Sequence, residues 1–347
     1  MKMRFLKKIA GLSLALSLLI GQTACSLPSS NNEAEENTAT KDIFAMDTYM
    51  TITAYGKRAD EAVDAAVDRI NELDAMLSTG DEDSQISQLN TTKEYQLCQD
   101  AYDLTKRACQ FYQDTDGDFN IAIYPVMQLW GFYTGNYNVP SQEDLTAALS
   151  KARPGEIVFD DESCTVTLPE DVSIDLGGIA KGYTSASIMD IFADYDCSGI
   201  VSLGGNIQCT GTKPDGSDYN IAIQDPDDTS AYLGYITCTD KAVVTSGGYE
   251  RYFEKDGTTY HHIIDPATGY PADAGLKSVS IISDDGTLAD ALSTSIYIMG
   301  LEKGVEYWRN STEDFEMILY TTDGTLYASS GVASAFTADL DVEVLER

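Results

Sequence analysis

The sequence predicts an α+β fold built on largely antiparallel sheets. Three observations carry this. Segments with strand alternation outnumber those with helical spacing. The strand segments are short and separated by glycine-containing turns, which suits hairpins. Helices and strands do not alternate in the regular way that βαβ units require.

Each element follows from local pattern. Residues 43–55, IFAMDTYMTITAY, alternate as a strand run. Val63, Ala66, Val67, Ile70, Leu73 and Leu77 recur at helical spacing across 59–77, and a second helix fits 99–113. Residues 156–175 supply short strands, the last running through SIDLGG into a glycine pair, and a helix starts near Ile179. GIVSLGGNIQCTG, YNIAIQDP, YITCTDKAVVTSGG, TTYHHIIDP and LKSVSIIS follow as strands. A helix covers 287–299 and stops at Gly300, and the strands of FEMILYTTDGTLYAS close the pattern. No fixed-period repeat and no second linker interrupt the chain, so residues 42–340 are expected to form one compact unit.

The amino terminus has a different character. MKMRFLKK is basic, IAGLSLALSLLI is apolar but short for a membrane span, and GQTAC follows. Residues 1–24 therefore read as an export signal, and Thr23-Ala24 before Cys25 resembles a bacterial lipoprotein signal with Cys25 as the lipidated residue. An ordinary secreted protein is the alternative. Residues 25–41 are polar and read as a disordered tether. The expectation is a domain outside the cytoplasm, held to the cell membrane by lipid.

The formal net charge of −34 argues against nucleic acid and against docking on anionic lipid. An anionic ligand needs a local exception made from backbone amides and a few cations. Six cysteines follow Cys25, at 98, 109, 164, 197, 209 and 238, with no zinc-site spacing. Disulfides and free thiols both fit.

Three segments could carry chemistry. In SIDLGGIAKGYTSA (173–186), Gly177-Gly178 opens a helix with Lys181 in its first turn, a setting that suits phosphate. It matches neither named nucleotide loop, and on its own it is equally a plain turn. In TLADALSTSIYIMG (287–300), Asp290 and Thr294 share one helix face and could ligate a hard cation such as Mg²⁺, or simply face water. The aspartates at 114, 116 and 118 fail as a calcium loop, because Pro125 stands where the bidentate glutamate belongs. The only histidines, His261 and His262, precede the turn signal Asp265-Pro266-Ala267-Thr268-Gly269. Neighbours on a strand face opposite ways, so at most one of them enters a given site.

Together these segments resemble the ApbE-type FAD:protein FMN transferases. The resemblance runs in order through FAMDTYM (44–50), LSTGDEDSQISQLN (77–90), DGDFNIAIYPVMQLWGF (116–132), IDLGGIAKGY (174–183), SLGGNI (202–207), TSGGYERYF (245–253), HHIIDPATGYP (261–271) and ADALSTSIYIMG (289–300). It implies a T-fold-like architecture with an FAD cleft between lobes. It implies a Mg²⁺-dependent reaction in which a threonine of a partner flavoprotein takes FMN from FAD and AMP leaves. By the same resemblance, Met46, Asp118, Phe119, Asn120, Asp175, Lys181, His262 and Ile263 contact FAD. Gly178, through its carbonyl, Asp290 and Thr294 hold the metal, and His262 is the general base, with His261 turned away. Asp47 stands where many members have glycine, Asn120 where many have aspartate, and Gly80 where many have an aromatic ring. An FAD pyrophosphatase and a flavin-binding lipoprotein without turnover are the other readings.

Overall fold

The computed structural model describes residues 37–347. The export signal, Cys25 and the tether up to residue 36 lie outside the described residues. Strands β1 (Thr38–Ala45) and β2 (Thr48–Tyr55) are followed by α1 (Ala59–Leu77) and α2 (Gln85–Thr92). β3 (Glu94–Gln96) leads to α3 (Gln99–Asp114), α4 (Tyr124–Trp130) and α5 (Gln142–Leu149). β4 (Val158–Asp160) and β5 (Thr165–Thr167) precede α6 (Ala180–Asp194). Then come β6 (Ser198–Leu203), β7 (Asn206–Thr210), β8 (Tyr219–Gln224) and β9 (Tyr232–Cys238). β10 (Ala242–Gly247), β11 (Tyr252–Lys255), β12 (Thr258–His261) and β13 (Leu276–Ser283) lead to α7 (Gly286–Asn310). The chain closes through β14 (Glu316–Thr321), β15 (Leu326–Ser329), α8 (Ser330–Ala333), β16 (Phe336–Ala338) and β17 (Val342–Leu345).

Nine strands form one sheet in the order β1-β2-β6-β7-β10-β13-β14-β15-β17. All its pairs are antiparallel except β15 with β17. The expected α+β class is the observed one. The central strands are buried on both faces, and strand alternation sorts their side chains. Val244, Val279, Ile281 and Leu319 pack with Leu288, Leu292 and Ile296 of α7. Val243, Ile282 and Ile318 point the other way, onto Ile221, Ile223 and Ile236 of the three-stranded sheet β16-β9-β8. Each such buried aliphatic side chain contributes about 1.5–3 kcal/mol.

Several boundaries differ from the sequence expectation. Among the described residues the first strand starts at Thr38, where the outward Thr38, Thr40 and Asp42 are polar, and the last, β17, runs to Leu345. The run 43–55 is a hairpin, turned by Met46 and Asp47 between paired Ala45 and Thr48. Both turn residues have positive φ, 48° and 59°, as a type I′ turn requires. Aspartate tolerates that conformation, so Asp47 can hold the turn without a glycine. Residues 173–176 are not a strand. Ile174 gives its N–H to the Asn90 side chain (2.7 Å) and accepts from it (2.8 Å), while Asp175 N–H goes to Ile121 O (2.9 Å). α2 has too few apolar residues to show a stripe, and the Ser84 hydroxyl caps it by accepting from Ser87 N–H. At Gly300 the helix kinks with φ 76° and continues, so the expected stop is a bend.

α6 and α7 cross at two glycines. A Cβ at Gly182 would collide with the Gly286 carbonyl and sit 2.6 Å from Asp290 Cβ. Gly182→Ala is therefore expected to lose roughly 1–3 kcal/mol of stability by overpacking. Urea unfolding of the two forms measures it, and an unchanged midpoint would refute this contact.

Candidate functional site

The site is built where the extended 173–178 segment enters α6. The Asp175 carboxylate accepts from Gly177 N–H (2.8 Å), Thr79 Oγ1 (3.2 Å) and the Tyr133 hydroxyl. Burial raises its pKa, and these donors with the nearby Lys181 charge oppose the rise. α6 starts without a side-chain cap. In the first turn of a helix the N–H groups have no intrahelical acceptor. Gly182 N–H is one of these, and it donates to Asp290 Oδ2 at 2.8 Å.

Asp290 is 4% exposed, and burial raises its pKa, with the Lys181 charge and the Gly182 N–H holding it down. The Asn206 amide faces it, and Asn206 Nδ2 is buried without a well-formed partner, so this contact is long or bent. Thr294 lies one helical turn further on. Ser246 Oγ stands 2.8 Å from Ser293 Oγ and 3.4 Å from Thr294 Oγ1. The Asp290 carboxylate and the Thr294 hydroxyl, one turn apart on α7, are oxygen donors of the kind that fits a hard cation such as Mg²⁺. Among the described residues no cluster of three or more His, Cys, Asp or Glu forms a metal cage. A cation here would take its other ligands from water and a bound anion.

The histidines part ways. His262 N–H and Nδ1 both lie on the Arg251 carbonyl, at 3.0 and 3.2 Å. A carbonyl only accepts, so Nδ1 carries the proton and Nε2 keeps its lone pair. Burial lowers the His262 pKa to about 3, helped by the Arg251 and Lys181 charges. His261 instead sets Nε2 3.0 Å from Ala272 O and packs edge-on to Tyr297. The turn beyond is fixed by Asp265, whose carboxylate accepts from Ala267 N–H (2.8 Å) and Thr268 Oγ1 (3.0 Å). Trp130 Nε1 pins it by donating to Gly269 O at 2.8 Å.

Lys181 is the hub, because its charge acts on Asp175, Asp290 and His262 together. The other expected residues are placed as follows. Met46 sets its sulfur 3.7 Å from Thr184 Oγ1 of α6. Phe119 is buried beside Gly178. Ile263 is buried in the core behind His262. Asp118 is half-buried, and burial raises its pKa to about 6 near Asp265 and Lys303. Asn120 spends its side chain on the backbone, accepting from Ala122 N–H (2.9 Å) and donating to Ala152 O (3.1 Å). Gly80 is exposed, and a Cβ there would meet only Ser78 Oγ at 3.6 Å.

Sequence reasoning missed Thr79, Tyr133, Asn206, Glu250 and Arg251. All except Tyr133, which directly follows one, lie inside the quoted motifs, but none carries a chemical signature alone. Glu250 is exposed overall, yet burial of its carboxyl raises its pKa to about 7 against the pull of Lys181.

A family model described as the ApbE family matches residues 46–319. A FAD:protein FMN transferase of Treponema pallidum (strain Nichols) is 31% identical over 347 residues, covering 93% of this chain and 95% of that protein. Another, of Klebsiella pneumoniae (strain 342), is 37% identical over 218 residues, 62% of this chain and 67% of that one. The crystal structure of the ApbE protein from Thermotoga maritima superposes with TM-score 0.81 at 33% identity, covering 86% of this chain and 99% of that one. The apo flavinyl transferase ApbE of Pseudomonas stutzeri gives 0.77 at 25% identity, covering 89% and 100%.

The depressed His262 pKa has a testable sign. Between pH ~6.5 and 3 the unfolded chain binds a proton that folded His262 refuses, so this residue's contribution to stability is lost as pH falls through that window. With only two histidines, a proton NMR titration of wild type and His261→Asn resolves it. His262 is expected to stay neutral at pH 5; a midpoint near 6.5 would contradict the burial.

Proposed function

The chain belongs to the ApbE family, and from that premise we propose that it is an FAD:protein FMN transferase. The observation that carries the reading is the buried Asp290 carboxylate of α7 held 2.8 Å from Gly182 N–H in the first turn of α6, next to Lys181. In the proposed reaction, His262 Nε2 takes the proton of an acceptor threonine. The threonine oxygen bonds to the phosphorus on the FMN side of FAD, the bond to the AMP phosphate breaks, and AMP leaves. Lys181 and Arg251 supply the local positive charge that this acidic protein otherwise lacks. The anionic pyrophosphate offsets both charges, which lets the His262 pKa recover toward a useful base. Asp290, Thr294 and the Gly178 carbonyl would hold Mg²⁺, which when bound neutralises charge on the phosphates. Asn206 and the Gly182 N–H keep the Asp290 carboxylate oriented. The proposed setting is the outer face of the cell membrane, with a lipid on Cys25 and a partner flavoprotein that presents the threonine.

A specific observation favours a second reading, FAD hydrolysis to FMN and AMP. The space around Gly80 carries no ring, and an open loop there admits water to the phosphorus.

The deciding experiment mixes the purified chain, FAD, Mg²⁺ and an acceptor domain shown to be competent with a known transferase. A denatured, fluorescent acceptor band with equimolar AMP is expected. Free FMN and AMP with a dark acceptor would support the pyrophosphatase, and intact FAD would leave only a flavin-binding protein. Asp290→Ala is expected to abolish Mg²⁺-dependent turnover. His262→Ala is expected to cut transfer about 10²-fold or more while FAD still binds. Gly80→Tyr is expected to raise the ratio of transfer to hydrolysis, read from labelled acceptor against free FMN.

A further inference from the structure

β7 divides its side chains between the two faces of the large sheet. Asn206 and Gln208 face the helices, where Gln208 Oε1 accepts from Ser185 Oγ of α6 at 2.7 Å. Cys209 falls on the opposite face, 1% exposed, and packs with Ile221, Ile236 and Val243. On β9, Ile236 enters that same layer, and Cys238, two residues on, follows it and is partly exposed. The link from β9 to β10 then folds back along the end of β7. Cys209 N–H donates to Lys241 O at 3.0 Å. The Asp240 carboxylate accepts from Thr210 Oγ1 (3.1 Å) and Gly211 N–H (2.8 Å), and Thr239 Oγ1 donates to the Gly211 carbonyl. These clamps hold Cys238 against the layer that contains Cys209, and both thiols are free.

We propose that Cys209 and Cys238 form a disulfide that staples the three-stranded sheet to the nine-stranded sheet. The oxidant is a disulfide of the glutathione class. The accessible Cys238 sulfur, as thiolate, attacks one sulfur of glutathione disulfide, and one glutathione leaves, taking up the proton. The Cys209 thiolate then attacks the Cys238 sulfur, the protein S–S bond forms, and the second glutathione leaves with the Cys209 proton. Two protein thiols are oxidised and one external disulfide is reduced. The order is set by access, because Cys209 is 1% exposed while Cys238 is partly exposed. The staple closes next to Asn206, so it also stiffens the wall behind Asp290.

The test uses the full chain, incubated with glutathione disulfide or with reductant, acid-quenched, alkylated under denaturing conditions and mapped without reduction. The expected result is a linked pair of peptides carrying Cys209 and Cys238 and two fewer alkylated thiols. The melting temperature should rise by roughly 5 °C or more over the reduced form. Cys238→Ser, at the partly exposed position, should remove both the link and the shift, and Cys209→Ser should do the same. Alkylation of both cysteines in the glutathione-disulfide arm, a stable glutathione adduct on Cys238, or an unchanged melting temperature in the linked form would each overturn the staple.

Discussion

One hydrogen bond organises this molecule, the donation from Gly182 N–H to the buried Asp290 carboxylate. It takes a donor out of the first turn of α6 and spends it on a residue of α7. The bond demands that the helices approach backbone to backbone, and only glycine at 182 and 286 permits that. It gives a first-turn N–H that has no intrahelical acceptor a buried partner. It also fixes one oxygen of a carboxylate that burial would otherwise drive toward the neutral form. Helix packing and an oriented anion both follow from a single contact.

The electrostatics follow the same economy. A chain of net charge −34 repels anions at long range. Its candidate site works against that field with Lys181, Arg251 and backbone N–H groups at an uncapped helix start. The Lys181 charge acts on two carboxylates, Asp175 and Asp290, so it is already partly used. A cation held by Asp290 and Thr294 would ease this crowding and supply positive charge to a bound anion. His262 shows the other side of the balance. Its tautomer is set for accepting a proton, while burial, and after it the Arg251 and Lys181 charges, suppress its basicity.

Much of this was legible in the sequence, for identifiable reasons. Long periodic segments such as 59–77 declare themselves, and α1 has those bounds. The glycine pair, Lys181, and the Asp290–Thr294 spacing point to an anion and a cation, and the fold brings them together. What stayed hidden depends on contacts across the chain. The Met46-Asp47 turn was masked because neither residue is glycine, and the 173–176 stretch looked like a strand because its apolar content is real while its partners are Asn90 and Ile121. Asn206 and Arg251 act through position, one behind a carboxylate and one through its carbonyl and charge. The capping role of Asn120, which accepts from Ala122 N–H, was hidden because it depends on the local turn.

The alternation along β10 has a consequence for how such a chain can vary. Val243 belongs to one layer and Val244 to the other, Ser246 reaches α7, and Val244 is paired with Asn206. Both cores and the candidate site are therefore set in phase by the same six residues. Inserting or deleting a single residue inside β10 would exchange the two layers and withdraw Ser246 from α7 in one step. Length changes are tolerable only where the phase has already ended, at hairpin tips such as 256–257. Related chains should accordingly differ in the lengths of their turns and agree in the lengths of these central strands.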